Sequence, residues 1–258
     1  MKPLYAIVVM SIGAAFITAC SALNVAAQSS PGSVASATRG RAFDGTWRLI
    51  GPQTALRPDD AVKPPFAEAG KEAYEEHLAD AAKDNFDFDK TAQLCSSPGL
   101  PRVMLSPGRL KIYVRDDIVL VRFEWNRLFR EINLGKKRLP LSPKSPITFD
   151  RGAEELLIGT MMGKTDGHWE GEQLVAESDG FADKLLDNLL PSSDALKLTE
   201  RWRLIGRDTL EDHMTIDDPT NYTRTWNTTL RFSRVADEPF PEDICLDRRQ
   251  KSEVIWPR

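Results

Sequence analysis

Two carboxylates lie on strand faces that are otherwise apolar. Glu200 is in phase with its apolar neighbours Leu198 and Trp202, and Asp212 lies in a similar apolar run. Burying a lone carboxylate is costly unless it is paired or protonated. Each of them therefore either pairs with an interior arginine or lines a cavity that holds solvent or ligand. In an apolar cavity the pKa of a carboxyl rises, which suits a general acid or base near neutral pH.

A turn with acidic and aromatic side chains follows one of these strands. The run Asp217-Asp218-Pro219 ends the strand, and Tyr222 comes three residues later. Asp before Pro is common in turns, so turn formation alone explains these residues. If the sheet closes into a barrel, the turn lies at the barrel mouth, where ligands commonly enter. We predict Glu200, Asp217 and Tyr222 as acid–base residues, with an ion pair and a plain turn as the alternatives.

Three tryptophans and an arginine are candidates for ligand contact. Trp125, Trp202 and Trp226 occupy apolar strand positions and could wall an aromatic pocket, with Arg122 beside them. Tryptophans on strand faces also occur as ordinary core residues, which is the alternative here. For Arg122 the alternative is a solvated cross-strand charge pair with Glu124.

Motifs that hold metals, phosphates or catalytic nucleophiles do not occur in the sequence. There is no glycine-rich phosphate loop, HExxH motif, CxxC pair or GxSxG nucleophile elbow. His77, His168 and His213 are too far apart to indicate a metal by spacing, so we expect neither a metal nor a cofactor. The 34 Lys and Arg against 38 Asp and Glu give a net charge of −4, which disfavours a nucleic-acid partner.

The elements that position these residues are predicted from hydrophobic periodicity. A helical period predicts one helix at about residues 66–83, and the acidic run at 84–89 is expected to be a solvated loop. A period of two then indicates strands, and within the second of them Phe129 is expected on the apolar face and Arg130 on the opposite face. The alternating runs lie at 110–114, 119–129, 168–178, 196–204, 210–216 and 226–232. We predict a mainly β fold, an antiparallel meander that closes into a calycin-like or lipocalin-like barrel.

The N-terminal segment has the composition of an export signal. Lys2 precedes an apolar stretch, and small residues before Gln28 suit a signal peptidase. Cleavage there would leave a flexible tether at 28–42 and a single domain at 43–258, in the periplasm or secreted. A lipobox-like run before Cys20 indicates a lipid anchor as an alternative, and an uncleaved membrane anchor is another. In an oxidising compartment Cys95 and Cys245 are expected to form a disulfide, unless they are two unrelated buried thiols.

Two longer motifs carry a family resemblance. One runs from Gly167-His168-Trp169-Glu170-Gly171 to Phe181, and the other from Leu198-Thr199-Glu200-Arg201 to Thr223. Together with an early Asp-Gly-Thr-Trp and the Cys95 and Cys245 regions, they resemble a broad family of exported bacterial proteins with no established reaction. Gly45-Thr46-Trp47 also resembles the opening of lipocalin-like barrels. The resemblance implies an exported barrel and does not imply a chemistry.

The sequence leaves three functions open. The first is a cofactor-independent lyase or isomerase that acts on a small hydrophobic or aromatic molecule through carboxylate and tyrosine acid–base chemistry. The second is a non-catalytic carrier of the same ligand class, and the third is a structural envelope protein. A ligand-sized cavity separates the first two from the third. An ionisable group facing that cavity separates the first from the second.

Overall fold

The computed structural model describes residues 40–51, 53–135, 160–182, 184–251, 253 and 256. The predicted signal peptide at 1–27, its alternative lipid site at Cys20 and residues 28–39 of the predicted tether lie outside these residues. The first described element is a short 3₁₀ helix at Arg41–Phe43. Among the described residues, no helix is both long and apolar enough to cross a membrane.

Nine strands of the described residues form a closed barrel, so the prediction of a mainly β barrel is confirmed. Around the barrel the order is β1, β11, β10, β9, β6, β5, β4, β3 and β2, and every neighbouring pair is antiparallel except β4 and β5. The barrel strands are β1 (Gly45–Leu49), β2 (Arg109–Val114), β3 (Ile118–Phe123), β4 (Phe129–Asn133), β5 (Lys164–Glu170), β6 (Gln173–Asp179), β9 (Lys197–Leu204), β10 (Thr209–Asp217) and β11 (Trp226–Val235). A separate hairpin consists of β7 (Lys184–Leu185) and β8 (Pro191–Ser192).

The alternation of the strands determines what fills the barrel. In β10, residues Leu210, Asp212, Met214 and Ile216 point to one face and are all buried. Successive side chains of a strand point to opposite faces, so this two-residue period turns one side of every strand inward. The core therefore consists of large side chains from all around the barrel, among them Trp47, Ile112, Phe123, Trp202, Met214, Trp226 and Phe232.

A short turn reverses the predicted faces of β4. The expectation that Phe129 faces the core and Arg130 faces solvent is wrong, because Phe129 is 61% exposed and Arg130 only 3%. A 3₁₀ turn at Trp125–Arg127 separates β3 from β4, and both Asn126 and Arg127 have positive φ. The period of two does not continue through such a turn, so Arg130 enters the barrel. The predicted Arg122–Glu124 pair is also wrong, because Glu124 pairs with the Arg109 guanidinium at 2.8 Å.

Helices and turns cover one end of the barrel. Helix α1 (Glu68–Ala81) is the predicted helix, with ends slightly inside the predicted bounds. Gly70 lies so close to the next element that an added Cβ would be 2.1 Å from the carbonyl oxygen of Asn221. Phe66, just before α1, forms a β-bridge with Tyr222. These contacts hold α1 against the turn that joins β10 and β11.

Two short helices were not predicted, and one of them alters the acidic loop. Helix α2 (Lys90–Leu94) is capped by Asp89, whose side chain accepts the N–H groups of Thr91 and Ala92. Asp89 is therefore buried, and the expectation that the whole 84–89 loop is solvated is wrong at this residue. Helix α3 (Cys245–Gln250) follows the last strand.

The expected disulfide joins these two helices. Cys95 and Cys245 are bonded, with their Cα atoms 5.8 Å apart and a sequence separation of 150. Around this bond Trp125 packs edge-on against Trp256, with a ring centroid separation of 5.1 Å. A small second core forms there, outside the barrel.

Candidate functional site

An ion pair lies inside the barrel, formed by Arg130 of β4 and Glu200 of β9. One guanidinium nitrogen of Arg130 donates to Glu200 Oε1 at 2.9 Å, and the other donates to Glu200 Oε2. The Arg130 side chain also donates to the hydroxyl of Ser178 at 3.1 Å, and the Trp202 indole N–H lies 3.3 Å from Glu200 Oε1. Glu200 is thus the partner of an interior arginine. This arrangement corresponds to the ion-pair alternative for that residue.

Asp212 lies in the same part of the barrel and is fully buried. Its carboxyl group lies beside the Glu200 carboxylate and the Trp202 indole, and neither of its oxygens makes a hydrogen bond of good geometry with the described residues. Burial raises the pKa of Asp212 well above its usual value, and the adjacent Glu200 carboxylate raises it further, while Arg130 opposes both effects. Burial therefore favours the neutral form of Asp212 next to a charged pair. This outcome agrees with the expectation that a carboxyl on an apolar strand face is either paired or has a raised pKa.

The three predicted acid–base residues do not meet at one point. Glu200 is inside the barrel, whereas Asp217 ends β10 in register with Lys197 and is half-buried. Tyr222 is buried and donates its hydroxyl hydrogen to the carbonyl oxygen of Pro191 at 2.8 Å. Burial raises the pKa of Tyr222 above its ordinary value, and the carboxylates of Asp187 and Asp218 raise it further. Its phenol therefore stays protonated, and its hydrogen is engaged by the β7–β8 hairpin.

The predicted aromatic wall is divided between two places. Trp202 and Trp226 belong to the barrel core, in register with Asp212 and Ile216, which are four residues apart on β10. Trp125 lies instead in the small core beside the disulfide. Arg122 lies half-buried on the outer side of β3, in register with Lys111 and Phe129. These four residues therefore do not line a common cavity in the structure.

A cavity of about 390 Å³ lies at the covered end of the barrel, and we call it the apolar cavity. Its aromatic wall consists of Phe66, Tyr74 and Phe86, with Phe66 and Tyr74 stacked at 5.1 Å between centroids. The remaining lining residues are Thr54, Ala55, Leu56, Arg57, Val62, Lys63, Pro64, Ala81, Asp89, Asp187, Asn188, Leu189 and Leu190. This volume lies within the usual range for small-molecule sites.

Like Asp89, Asp187 is a buried carboxyl at the wall of the apolar cavity. It accepts N–H groups from Leu56 at 2.9 Å and from Leu189 and Leu190 at 2.8 Å each. Burial raises the pKa of Asp187, although these hydrogen bonds and the charge of Arg102 lower it. A carboxyl whose pKa is raised at the wall of an apolar cavity is a candidate for proton transfer.

A second cavity, of about 380 Å³, lies on the adjacent face of α1, and we call it the polar cavity. Ala73 and His77 of α1 line it, together with Lys184 of β7 and Lys90 and Arg102 from the α2 region. Its other lining residues are Phe88, Asp89, Thr91, Pro98, Met161, Leu185, Pro191, Ser192, Ser193, Thr220 and Asn221. Asp89 borders both cavities, so they are neighbours.

His77 lies where the two cavities adjoin. Its Nδ1 is 2.8 Å from the carbonyl oxygen of Leu189, and its ring stacks on Phe88 at 4.4 Å between centroids. A carbonyl oxygen only accepts hydrogen bonds, so Nδ1 carries the hydrogen. The lone pair of the neutral ring is then at Nε2. The sequence placed His77 within the predicted helix, but its spacing from the other histidines did not connect it with a site.

The residues that line the two cavities were largely missed by the sequence interpretation. Lys184 begins the two-residue strand β7, Asp187 lies in the loop between β7 and β8, and Arg102 begins a four-residue 3₁₀ helix, Arg102–Leu105. Hydrophobic periodicity has no signal in such short elements. The usable signal was the helix itself, since the predicted helix at about 66–83 contains Ala73 and His77, and both line the polar cavity. Among the described residues, no group of three or more His, Cys, Asp or Glu side chains could hold a metal ion.

Comparisons with known proteins identify no sequence family. The sequence matches no family and no curated protein. Solved structures similar to this chain include a mutant of the fluorescent protein UnaG, with 15% identity and a TM-score of 0.32, which covers 77% of this chain and 99% of its own. Human cRBP IV has 14% identity and a TM-score of 0.33 and covers 75% of this chain and 98% of its own. Because these superpositions are loose, we infer nothing about function from them. The fold follows from this chain's own strand pairing, which forms a closed and mostly antiparallel barrel.

Proposed function

We propose that the protein binds a small apolar or aromatic molecule in the apolar cavity. The observation that carries this proposal is the cavity itself, with three aromatic rings around a volume of about 390 Å³. Flat aromatic walls favour stacking with a planar ligand, and apolar surface removed from water supplies the main driving force. Arg57 and Lys63 add polar contacts to this lining. The barrel then acts as a rigid base for a site built at its covered end.

A neutral fluorescent probe tests this proposal. N-phenyl-1-naphthylamine is apolar and aromatic, and its emission rises in an apolar site. Ala81 is half-buried and lines the apolar cavity, so Ala81→Trp fills part of the cavity with an indole. Ala73→Trp is the matched control, since it places the same side chain on the same helix beside the polar cavity.

We expect the probe to bind the parent protein and Ala73→Trp with similar affinity and Ala81→Trp at least about tenfold more weakly, since a filled cavity loses the ligand's apolar contacts. Unfolding curves of both variants check that the fold is retained. Equal binding by all three proteins would place the probe elsewhere and contradict the proposal. Absence of probe binding by the folded parent would favour the structural envelope role.

A second candidate is catalysis of proton transfer in the same cavity. It is favoured by Asp187, a buried carboxyl with a raised pKa at the cavity wall. A lyase or isomerase without a cofactor needs such a group to remove or deliver a proton. The assignment of this chemistry to Glu200, Asp217 and Tyr222 remains a prediction. It has less support, because Glu200 is paired with Arg130 and the Tyr222 hydroxyl is engaged by Pro191.

Carrier and catalyst are separated by replacing Asp187. Asp187→Asn keeps the shape of the side chain and removes its ionisable proton. For a catalyst, turnover of a bound candidate substrate falls by about 10²–10⁴-fold while probe affinity is retained. For a carrier, isotope exchange from solvent into the bound ligand is absent in the parent protein as well.

A further inference from the structure

The chain that follows the last barrel strand is tied to the outside of the barrel. We call its described residues, 236–251, 253 and 256, the C-terminal segment. The Asp237 carboxylate is 2.6 Å from the Lys111 ammonium of β2. Further along, the Asp243 carboxylate accepts the N–H of Asn126, in the turn between β3 and β4, at 2.6 Å. Polar contacts with two parts of the barrel therefore fix the path of this segment.

The disulfide fastens the C-terminal segment to a helix that reaches the cavities. Cys245 is the first residue of α3, and Cys95 directly follows α2. At the opposite end of α2, Asp89 caps the first turn and borders both cavities. Because α2 has only five residues, the disulfide and the cavity wall lie at the two ends of one short helix.

Trp256 gives the C-terminal segment a second contact with the cavity wall. Its indole N–H donates to Asn188 Oδ1 at 2.9 Å, and a terminal nitrogen of Arg102 donates to the same oxygen at 3.1 Å. The guanidinium carbon of Arg102 also lies 5.1 Å from the centroid of the Trp256 ring. Arg102 in turn donates to both carboxylate oxygens of Asp89, at 2.8 and 2.6 Å. Since Asn188 lines the apolar cavity, its side-chain oxygen joins the C-terminal segment to that wall.

The elements of this wall are too short to hold themselves in place. α2 has five residues and the strands of the β7–β8 hairpin have two each. Isolated helices below about 12 residues and isolated hairpins are only marginally stable in water. The wall also depends on Asp187, which accepts the backbone N–H groups of Leu56, Leu189 and Leu190. Its order therefore comes from tertiary contacts, and the C-terminal segment supplies some of them.

We propose that the C-terminal segment is a strap that keeps the apolar cavity in its ligand-binding shape, and that the Cys95–Cys245 disulfide fastens the strap. Ligand affinity is then coupled to the oxidation state of the two cysteines. A small dithiol supplies two electrons and two protons, the S–S bond breaks, two thiols form, and the dithiol becomes a disulfide. The effect on ligand affinity rests on the proposed function of the apolar cavity, whereas the effect on its wall does not.

Amide hydrogen exchange tests the strap without a ligand. The reporters are the three backbone N–H groups bonded to Asp187, and the reference is the set of amides that pair β10 with β11. Trp256→Phe keeps the disulfide and an aromatic ring but removes the donor to Asn188. Trp169→Phe is the matched control, because Trp169 packs against Phe43 and lines neither cavity.

We expect Trp256→Phe to speed the exchange of the reporters about fivefold relative to the reference, as for the loss of one hydrogen bond. Trp169→Phe should change this ratio less than about twofold, since it removes no contact with the wall. Reduction of the parent protein with dithiothreitol should raise the ratio at least about tenfold, because both ends of α2 are then released from the strap. If reduction unfolds the protein, Trp256→Phe decides the test, because it keeps the disulfide.

The Kd of N-phenyl-1-naphthylamine tests the coupling to the ligand. Reduction should raise this Kd at least about tenfold and Trp256→Phe about fivefold, within the usual range of coupling between sites. Trp169→Phe should leave the Kd unchanged. Coupling is reciprocal, so saturating probe should shift the equilibrium with dithiothreitol toward the protein disulfide by the same factor as the change in Kd.

Equal reporter exchange in the oxidised and the reduced protein, or equal effects of Trp256→Phe and Trp169→Phe, would overturn the strap. A folded parent protein that binds the probe with the same Kd in both oxidation states would overturn the coupling and leave the proposed function intact. Absence of probe binding by the oxidised parent would contradict the proposed function instead, and the exchange of the reporters then decides the strap by itself.

Discussion

Inside the barrel, the way in which each ionisable side chain is stabilised depends on its partner. Glu200 and Arg130 satisfy each other, and the surrounding hydroxyls of Thr165 and Ser178 hydrogen-bond to each other at 2.8 Å. Asp212 has no cationic partner in direct contact among the described residues, and burial raises its pKa, which lowers the cost of placing it there. The two buried carboxyls thus reduce the cost of a buried charge in different ways, Glu200 by pairing with Arg130 and Asp212 by a raised pKa.

Replacing Glu200 removes one half of the interior pair. Glu200→Gln keeps the shape of the side chain but leaves Arg130 without a counter-charge in a buried place. We expect a loss of about 3–5 kcal/mol in the free energy of unfolding, measured by urea denaturation. A variant as stable as the parent protein would show that the pair contributes nothing to folding. A stable variant that loses a measured turnover would instead support the catalytic role.

Replacing Asp212 changes the pH dependence of stability. The pKa of Asp212 is raised in the folded protein, so its contribution to stability is fully present below the ordinary aspartate pKa of about 3.9. This contribution is lost as pH rises from there through the folded pKa. Asp212→Asn cannot ionise, so we expect its free energy of unfolding relative to the parent to increase as pH rises above about 4. Parallel pH profiles of parent and variant, from urea denaturation, would contradict this expectation.

At the level of elements, the sequence predicted those with a repeating hydrophobic pattern and missed the short ones. The strands were predicted because their side chains alternate over five or more residues, and α1 because its inner face has a helical period. The β7–β8 hairpin, α2 and α3 are each too short for a period to be recognised. The inversion at Phe129 and Arg130 was missed because two residues of positive φ interrupt the strand without a glycine to mark them. The cavities were missed because distant segments form them.

The disulfide joins elements that lie far apart in sequence. Because Cys95 and Cys245 have a sequence separation of 150, the chain-entropy estimate of its contribution is about 5 kcal/mol. We expect the double variant Cys95→Ala and Cys245→Ala to lose stability of that order, measured by guanidinium unfolding. A peptide map of the unreduced protein should contain one fragment with both cysteines. Recovery of the two cysteines in separate fragments would contradict the bond.

At the level of the whole molecule, both cavities lie at one end of the barrel and share α1 as a wall. The barrel supplies a closed base, since its core is filled by large side chains. Ligand binding at the covered end therefore need not disturb the strand pairing. A ligand that binds only the folded state stabilises it by about 2.7 kcal/mol at a hundred times its Kd.

Export is the remaining proposal at this scale. The apolar stretch after Lys2 and the small residues before Gln28 predict a mature protein that begins near residue 28. Intact-mass measurement on the protein from its native host should give the mass of residues 28–258 with one disulfide. A retained Met1 would contradict cleavage, and an added diacylglycerol on Cys20 would show a lipoprotein instead.

The barrel contains a parallel contact, between β4 and β5, because its number of strands is odd. Strand directions around a ring alternate perfectly only when the number of strands is even, and the described barrel has nine. One neighbouring pair must therefore run the same way, whatever residues the strands contain. In this barrel the parallel pair is β4 and β5, and Asn133 and Asp166 are its paired positions. The other junctions have four or more paired positions each. The β4–β5 junction is therefore the most weakly paired of the barrel. We expect amide hydrogen exchange to be faster there than at any other strand junction.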